Sequence, residues 1–139
     1  MIAYKTQQEL RTLLQRHAIS ATPQRLKIAR ILFSADRHVS AEQLIGELRD
    51  SGQRVSKATV YNTLGLFSRL GLVREVIVDP GRVFYDSNTS AHQHLYDVQT
   101  ATLTDIGNDD IDIRVLPDLP GNLEIEAIDV IVKVRQRSS

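Results

Sequence analysis

The first half of the chain has apolar residues at the spacing of amphipathic α-helices. In residues 6–18, leucines recur on one face, which predicts a first helix. The segment "ATPQRLKIARILFSA" predicts a second helix, because Thr22 can cap its first turn and Pro23 fits its first position.

Two further helices follow the same pattern. Ser40 and Gln43 can form a capping box ahead of an apolar stripe, which predicts a third helix. Ser56 can cap a fourth helix, which we expect over residues 57–70 and which Gly71 ends.

Two β-rich runs, "LVREVIV" and "RVFYDS", come after the fourth helix and are separated by a turn at Asp79-Pro80-Gly81. Helix, short loop, helix and hairpin in this order are typical of a winged helix-turn-helix, whose second helix enters the major groove of DNA. We therefore predict an N-terminal DNA-binding domain over residues 1–86.

The remaining residues, 87–139, are acidic and rich in β-branched side chains. The segments "HLYDVQ", "TATLTDI" and "EIEAIDVIVKV" predict strands, "LPDLPGN" predicts a loop, and "NDDIDIRV" fits either a short helix or a strand. Roughly 50 residues are too few to bury both faces of such a sheet, so pairing with a second copy is expected. A twofold homodimer would also place two recognition helices on two half-sites.

Charge is divided between the two halves, although the net charge is zero. Residues 1–75 hold 12 Lys and Arg against 6 Asp and Glu, a net +6, whereas residues 76–139 hold 5 against 11, a net −6. A basic first half suits a polyanion such as double-stranded DNA. The alternative is that the charged residues are unevenly distributed along the chain without any functional reason.

The composition excludes several kinds of site. Without cysteine there is no disulfide, no thiolate nucleophile and no zinc site built on sulfur, so any metal must be held by imidazole, carboxylate and water. No apolar run reaches the roughly 20 residues of a membrane span, and the start "MIAYKTQQELRTLL" has charges where a signal peptide is apolar. We therefore expect a cytoplasmic protein without a membrane partner.

The segment "DSNTSAHQHLYDV" holds two of the four histidines, His92 and His94, one residue apart. In an extended segment both side chains point to the same face, with Asp86 a few residues upstream. That arrangement suits a cation. Two histidines on the solvated face of a strand would look the same in sequence, so the pattern alone leaves both interpretations open.

The face of the fourth helix opposite its apolar stripe carries small, polar and hydrogen-bonding side chains that can reach base edges and phosphates. They are Lys57, Thr59, Tyr61, Asn62, Thr63 and Arg69. An ordinary solvated face is the alternative interpretation.

Six segments in order, "TPQR", "HVSAEQL", "ATVYNTL", "LGLVREV", "VFYDSNTSAHQHLYDV" and "TDI", resemble the ferric uptake regulator family over residues 15–106. Within that family the chain is most similar to the iron response regulators, which share "TVYNTL", the absence of zinc-binding cysteines and a tail similar to "LPGNLEIEAIDVIVKVRQR". The resemblance implies an α+β protein, with an N-terminal winged helix-turn-helix domain followed by a small α/β dimerisation domain over residues 87–139. It also implies a regulatory metal site at the hinge between them.

The family's hinge ligands fall on positions that all hold competent donors. These are His38, Asp86, His92, His94 and Asp105. Such nitrogen and oxygen donors suit Fe²⁺ or Mn²⁺ first, and Zn²⁺, Co²⁺ or Ni²⁺ as well.

Haem bound through the histidines is an alternative ligand, because the iron response regulators resemble haem-sensing proteins. The structural zinc site of most relatives is not expected, since Asp97 and Thr100 stand where its first cysteine pair lies and the second pair is missing. The family's additional carboxylate and histidine site is poorly kept, since Ala91 and Gln93 stand where its ligands often lie, and the sequence leaves the presence of a second metal site open.

The expected DNA contacts divide into two groups. Phosphate contacts are assigned to the helix starts and to nearby cations, namely Arg16, Thr22, Arg25, Lys27, Ser56 and Lys57. Base contacts are assigned to Thr59, Tyr61, Asn62 and Thr63.

These features together predict a dimeric transcriptional regulator that binds operator DNA near iron or haem genes and responds to iron or manganese, and not an enzyme. A non-haem metal-dependent enzyme is one alternative, since two histidines and a carboxylate can hold Fe²⁺ or Zn²⁺ for catalysis. The sequence has no Gly-rich phosphate loop and no nucleophile motif, which counts against it. A winged-helix protein without metal sensing is the other alternative.

Overall fold

The chain folds into two compact units, of which the first extends to Thr89 and the second begins at Ser90. The computed structural model describes residues 6–90, 92–114 and 116–138. Helices dominate the first unit and strands the second, which confirms the predicted α+β class.

Four α-helices form most of the first unit, and all four were predicted. They are α1 (Gln7–Arg16), α2 (Pro23–Leu32), α3 (Ala41–Asp50) and α4 (Lys57–Arg69). A hydroxyl accepts a hydrogen bond from a first-turn N–H at each start, in turn from Thr6, Thr22, Ser40 and Ser56. No carbonyl within a helix can pair with those first N–H groups, so the caps define where the helices begin.

The helices pack around a core of fully buried side chains. Leu14, Leu32, Leu44, Leu64 and Phe67 have no exposed surface. Burying one such side chain contributes about 1.5–3 kcal/mol, so this core fixes the helices that carry the predicted DNA contacts.

A three-stranded antiparallel sheet completes the first unit. Its strands are β1 (His38–Val39), β2 (Arg74–Asp79) and β3 (Arg82–Asp86), in the order β1-β3-β2. The hairpin of β2 and β3 was predicted, whereas β1 was not, because two residues are too short for an alternating pattern. β1 pairs His38 directly with Asp86.

The second unit has a three-stranded sheet of its own. It consists of β4 (Gln93–Asp97), β5 (Thr102–Ile106) and β6 (Ile131–Val134), with β4 in the centre, antiparallel to β5 and parallel to β6. The Gln93 side chain donates to the Ile128 carbonyl at 3.3 Å and accepts from the Val130 N–H at 2.6 Å. It therefore holds the backbone that leads into β6 against β4.

The last predicted strand is shorter than the pattern "EIEAIDVIVKV" suggests. Only Ile131–Val134 pairs in a sheet, so the prediction of a strand over residues 124–130 is wrong. Leu123, Ile125 and Ile128 are exposed by 57%, 44% and 37%. Their apolar alternation has nothing to cover it among the described residues.

The segment "NDDIDIRV", left open from the sequence, begins with a 3₁₀ helix, Asn108–Asp110. Within the described part of the second unit this is its only helical segment, so the expected α/β character rests there on a single short turn.

In the described ranges, no helix has the length and apolar composition that crossing a membrane requires.

Candidate metal centre and nucleic-acid interface

In the first unit, His38 and Asp86 form a close pair. The distance from His38 Nε2 to Asp86 Oδ2 is 3.2 Å. The Asp86 residue is only 1% exposed, and its Oδ1 accepts from the Asn88 N–H at 2.9 Å. A buried carboxylate requires hydrogen-bond donors or a cation around it, and His38 provides one partner.

Hydrogen bonds fix the segment before β1 against the end of β3. The Arg37 N–H donates to Ser87 Oγ at 3.0 Å, and the Ser87 hydroxyl donates to the Ala35 carbonyl at 3.2 Å. The Arg37 guanidinium also donates to both Glu47 carboxylate oxygens, at 3.0 and 2.8 Å. These bonds hold the backbone next to His38 in place.

In the second unit, two imidazoles converge on one carboxylate. His92 Nε2 lies 3.2 Å and His94 Nε2 lies 3.6 Å from the same Asp105 oxygen, Oδ1. His94 stands opposite Asp105 in the β4–β5 ladder. Both histidines are buried, at 7% and 2% exposure, and the two ring centroids are 4.6 Å apart. The histidines therefore lie in the interior and are not solvated on a strand surface.

A backbone carbonyl sets the tautomer of His92. Its Nδ1 lies 2.6 Å from the Ser90 carbonyl oxygen, which can only accept, so Nδ1 carries the proton and donates. In the neutral ring Nε2 then presents a lone pair to the Asp105 carboxylate. Lone pair and carboxylate repel each other unless a proton or a metal ion lies between them. Nδ1–H bonds of this kind commonly orient metal-binding histidines.

The five predicted metal ligands thus fall into two groups, each within one unit. The first group is His38 with Asp86, and the second is His92, His94 and Asp105, whose ligand atoms lie within 4.8 Å of one another. Each group has the imidazole and carboxylate donors that suit Fe²⁺, Mn²⁺ or Zn²⁺. That one ion uses both groups stays a prediction.

The outer face of α4 carries Lys57, a predicted phosphate contact, and most of the predicted base contacts. Lys57, Tyr61 and Asn62 are exposed and Thr59 is partly exposed. Thr63 is only 4% exposed, so its predicted position on the solvent face is wrong. It follows Val60 by three residues and therefore belongs to the buried stripe of the helix.

A groove of about 290 Å³ lies between the start of α2 and α4 in the first unit. It is lined by Thr22, Gln24, Arg25, Thr59, Asn62 and Thr63, and all of these except Gln24 are predicted DNA contacts. Arg25 donates to the Ser20 carbonyl at 3.0 Å, and a guanidinium has five N–H donors, so others remain for a phosphate. The groove therefore combines a cation with the partial positive charge of the α2 N-terminus.

The other predicted phosphate contacts lie elsewhere on the first unit. Arg16 and Ser56 are exposed, the first in the last turn of α1 and the second as the cap of α4. Lys27 lines a different and larger groove of about 500 Å³, together with Arg11 and Arg30. The structure therefore separates Lys27 from Arg25, although both belong to α2.

The sequence did not point to Glu42 or Gln93, although both make notable contacts in the structure. The Tyr61 hydroxyl donates to Glu42 Oε1 at 2.6 Å, which links the start of α3 to α4. Gln93, between the two histidines, binds the backbone before β6. These contacts join residues 19 and up to 37 positions apart, and no local pattern predicts such pairs.

Comparison with known proteins gives a consistent picture. The model of the ferric uptake regulator family matches residues 16–132. A peroxide-responsive repressor, PerR, from Staphylococcus aureus is 33% identical over 92 residues, which are 66% of this chain and 62% of the relative. The match thus spans less than two thirds of the length of that curated relative.

Solved structures with the same fold cover nearly the whole chain. A ferric uptake regulator from Pseudomonas aeruginosa, with manganese, is 26% identical, with a TM-score of 0.70 over 91% of this chain and 97% of that one. The ferric uptake regulator of Vibrio cholerae is 22% identical, with a TM-score of 0.73 over 91% of this chain and 98% of that one, a likeness of fold alone.

Proposed function

Because the chain belongs to the ferric uptake regulator family, we propose that it is a homodimeric, metal-responsive regulator of transcription that binds double-stranded operator DNA. The relatives named above are a repressor and uptake regulators, and neither name describes an enzyme. We therefore do not propose catalysis at the histidine and carboxylate groups.

The observation that carries the metal-sensing part is the convergence of His92 and His94 Nε2 on Asp105 Oδ1. Two buried imidazoles directed at one carboxylate oxygen form a donor set for a cation, and the Ser90 carbonyl keeps His92 in the ligating tautomer. A divalent ion bound between the imidazole lone pairs and the carboxylate would supply the positive charge that relieves their repulsion.

We propose that His38 and Asp86 complete the same coordination. The two groups belong to different compact units, so an ion that takes ligands from both would favour one arrangement of the units over others. Such a population shift couples metal binding to the spacing of two α4 helices in a dimer.

Fe²⁺ or Mn²⁺ is the proposed physiological ion, and Zn²⁺ is expected to bind in vitro. The ferric uptake regulator from Pseudomonas aeruginosa, whose structure was solved with manganese, supports this order. Assignment to the iron response branch, and with it haem as an alternative ligand, is also a proposal. It depends on "TVYNTL" and the absence of cysteine.

Charge and shape support DNA as the partner of the first unit. Arg25 and Asn62 line the groove between α2 and α4, and Lys57 is exposed at the start of α4. Lysines and arginines that neutralise phosphates release counterions, which would make the affinity fall steeply with salt.

The exposed apolar residues of the second unit support the homodimer. Large side chains at Ile113, Leu116, Leu119, Leu123, Ile125 and Ile128 are all more than a third exposed. Exposed apolar side chains in this number are typical of a surface that a partner covers, and a twofold copy of the chain would also pair two α4 helices.

The proposal is tested with protein purified without chelator. Its metal content is measured first. The Mn²⁺-loaded protein then selects duplexes from a random DNA library, and affinity for the selected duplex is compared after chelation and with Mn²⁺, Fe²⁺, Zn²⁺ or haem.

Affinity that changes with the metal and falls with salt is the expected result. Unchanged affinity in protein without metal would instead favour a winged-helix protein that senses nothing. Metal-dependent turnover without DNA affinity would favour an enzyme.

A further inference from the structure

Tyr61 on α4 is exposed by 46%, yet its hydroxyl is already engaged. It donates to Glu42 Oε1 at 2.6 Å, a length typical of a charge-assisted O–H···O⁻ bond. Glu42 lies in the first turn of α3, next to the Ser40 cap. A carboxylate from one helix therefore holds the tip of a side chain on the neighbouring helix.

This contact shifts the pKa values of the two side chains in opposite directions, away from each other. The hydrogen bond from Tyr61 is the main reason why the pKa of Glu42 is lowered, and bonding to Glu42 is the main reason why the pKa of Tyr61 is raised. At neutral pH the pair is thus a neutral phenol and a carboxylate, which keeps the direction of donation fixed.

The contact decides which part of Tyr61 can meet DNA. A free tyrosine hydroxyl can donate to phosphates and to base acceptors alike, so it discriminates weakly. When Glu42 takes that proton, the hydroxyl can no longer donate to DNA, and the apolar ring can contact the C5-methyl group of thymine in the major groove.

We propose that Glu42 is a positioning residue that determines DNA sequence specificity, an inference that rests on the proposed DNA-binding function. It holds the Tyr61 hydroxyl so that the ring reads thymine methyl groups, and it does so without touching DNA itself. The carboxylate should also repel phosphates, which lowers affinity for every sequence equally.

The experiment uses the full chain, the duplex it selects, and copies of that duplex in which single thymines are replaced by deoxyuridine. Each replacement removes one methyl group and leaves the hydrogen-bonding edge unchanged. For wild type, at the thymine that Tyr61 contacts, we expect an affinity loss of about fourfold, the value of one buried methylene-sized group. Glu42→Ala should reduce this loss to less than about twofold, because the ring is no longer held.

Two variants separate positioning from charge. Glu42→Gln removes the charge but keeps an acceptor oxygen, so it should bind all duplexes more tightly and retain the deoxyuridine penalty. Asp50→Ala removes one carboxylate from the other end of α3, where Asp50 is exposed, and should change no discrimination.

Tyr61→Phe should lose the same discrimination as Glu42→Ala, and the double variant should be no worse than either single one. Circular dichroism melting checks that each variant folds. A deoxyuridine penalty that survives Glu42→Ala would overturn the inference. Failure of the wild type to select any duplex would overturn the proposed function instead, so the two failures are distinguishable.

Discussion

Replacing His94 by alanine should remove most of the stabilisation that a divalent ion gives the folded chain. His94 is only 2% exposed, and its Nε2 lies 3.6 Å from Asp105. The substitution deletes one of three donors in the second unit and leaves the backbone ladder of β4 and β5 intact. The quantity of interest is the rise in Tm on adding Mn²⁺, because each variant is compared with itself without metal.

The magnitude follows from linkage. Mn²⁺ at 100 times its dissociation constant stabilises the folded state by about 2.7 kcal/mol. Removing a partner that only orients a ligand weakens metal binding by about 10–100-fold, so loss of the ligand itself should weaken it by at least about 100-fold. The same concentration then gives about 0.4 kcal/mol, a difference of about 2.3 kcal/mol. At about 2–4 °C per kcal/mol for a chain of this size, the metal-induced rise in Tm should shrink by about 5–9 °C.

Thermal unfolding by circular dichroism, with and without Mn²⁺, measures this difference. His17→Ala is the matched control, since His17 is the histidine that lies outside the proposed ligand set and its Nδ1 is bonded to the Leu13 carbonyl. Asp105→Asn, half-exposed on β5, is a second variant that keeps the shape of the side chain. An undiminished rise in His94→Ala and Asp105→Asn would refute the assignment of these residues as ligands.

Three further changes test other parts of the structure. Gln93→Ala should lower the free energy of unfolding in urea by about 1–2 kcal/mol, since it removes two hydrogen bonds, one of them partly buried, and Gln99→Ala, which removes one exposed hydrogen bond, by about half as much. Ala101→Gly should raise it by about 0.5–1 kcal/mol, because Ala101 has a φ of 55°, and an unchanged midpoint would contradict this. Lys57→Ala should weaken binding to all duplexes similarly and reduce the slope of log affinity against log salt by about 1.

The helices were the part of the fold that the sequence predicted best, because each start carries a local signal. Thr22, Ser40 and Ser56 accept the hydrogen bonds that a capping residue should accept. These interactions span three residues, so the information needed to predict them lies within one turn of the chain.

The C-terminal strand was over-predicted for the opposite reason. Alternating apolar residues from Ile125 onward favour a strand, but strand formation also needs a neighbour with free backbone groups. Within the described part of the chain, β4 pairs with Ile131–Val134, and its His94 N–H also donates to the Val130 carbonyl, but no backbone partner extends this pairing further towards Ile125. The remaining apolar side chains of the pattern need a surface to pack against. The sequence does not show which surface that is.

The site was predicted as a set of donors but not as a geometry. The spacing of His92 and His94 predicts a shared direction, and their nitrogens do lie near one oxygen. The partners Asp86 and Asp105 depend on strand registers that bring distant residues opposite each other. Thr63 could have been placed correctly, since it falls on the stripe of Val60 and Phe67.

The register that sets His94 opposite Asp105 has a kinetic consequence. An ion coordinated by both residues would be held between the two strands of one hairpin. In the turn of that hairpin, Asp97 Oδ1 accepts hydrogen bonds from the N–H groups of Gln99 and Thr100. Departure of the ion would then wait until the strands part, and such local opening is slow when backbone hydrogen bonds must break. After the metal concentration falls, the time for which the chain stays metal-bound would therefore depend on how often this turn opens. A glycine at position 101 would lengthen that time.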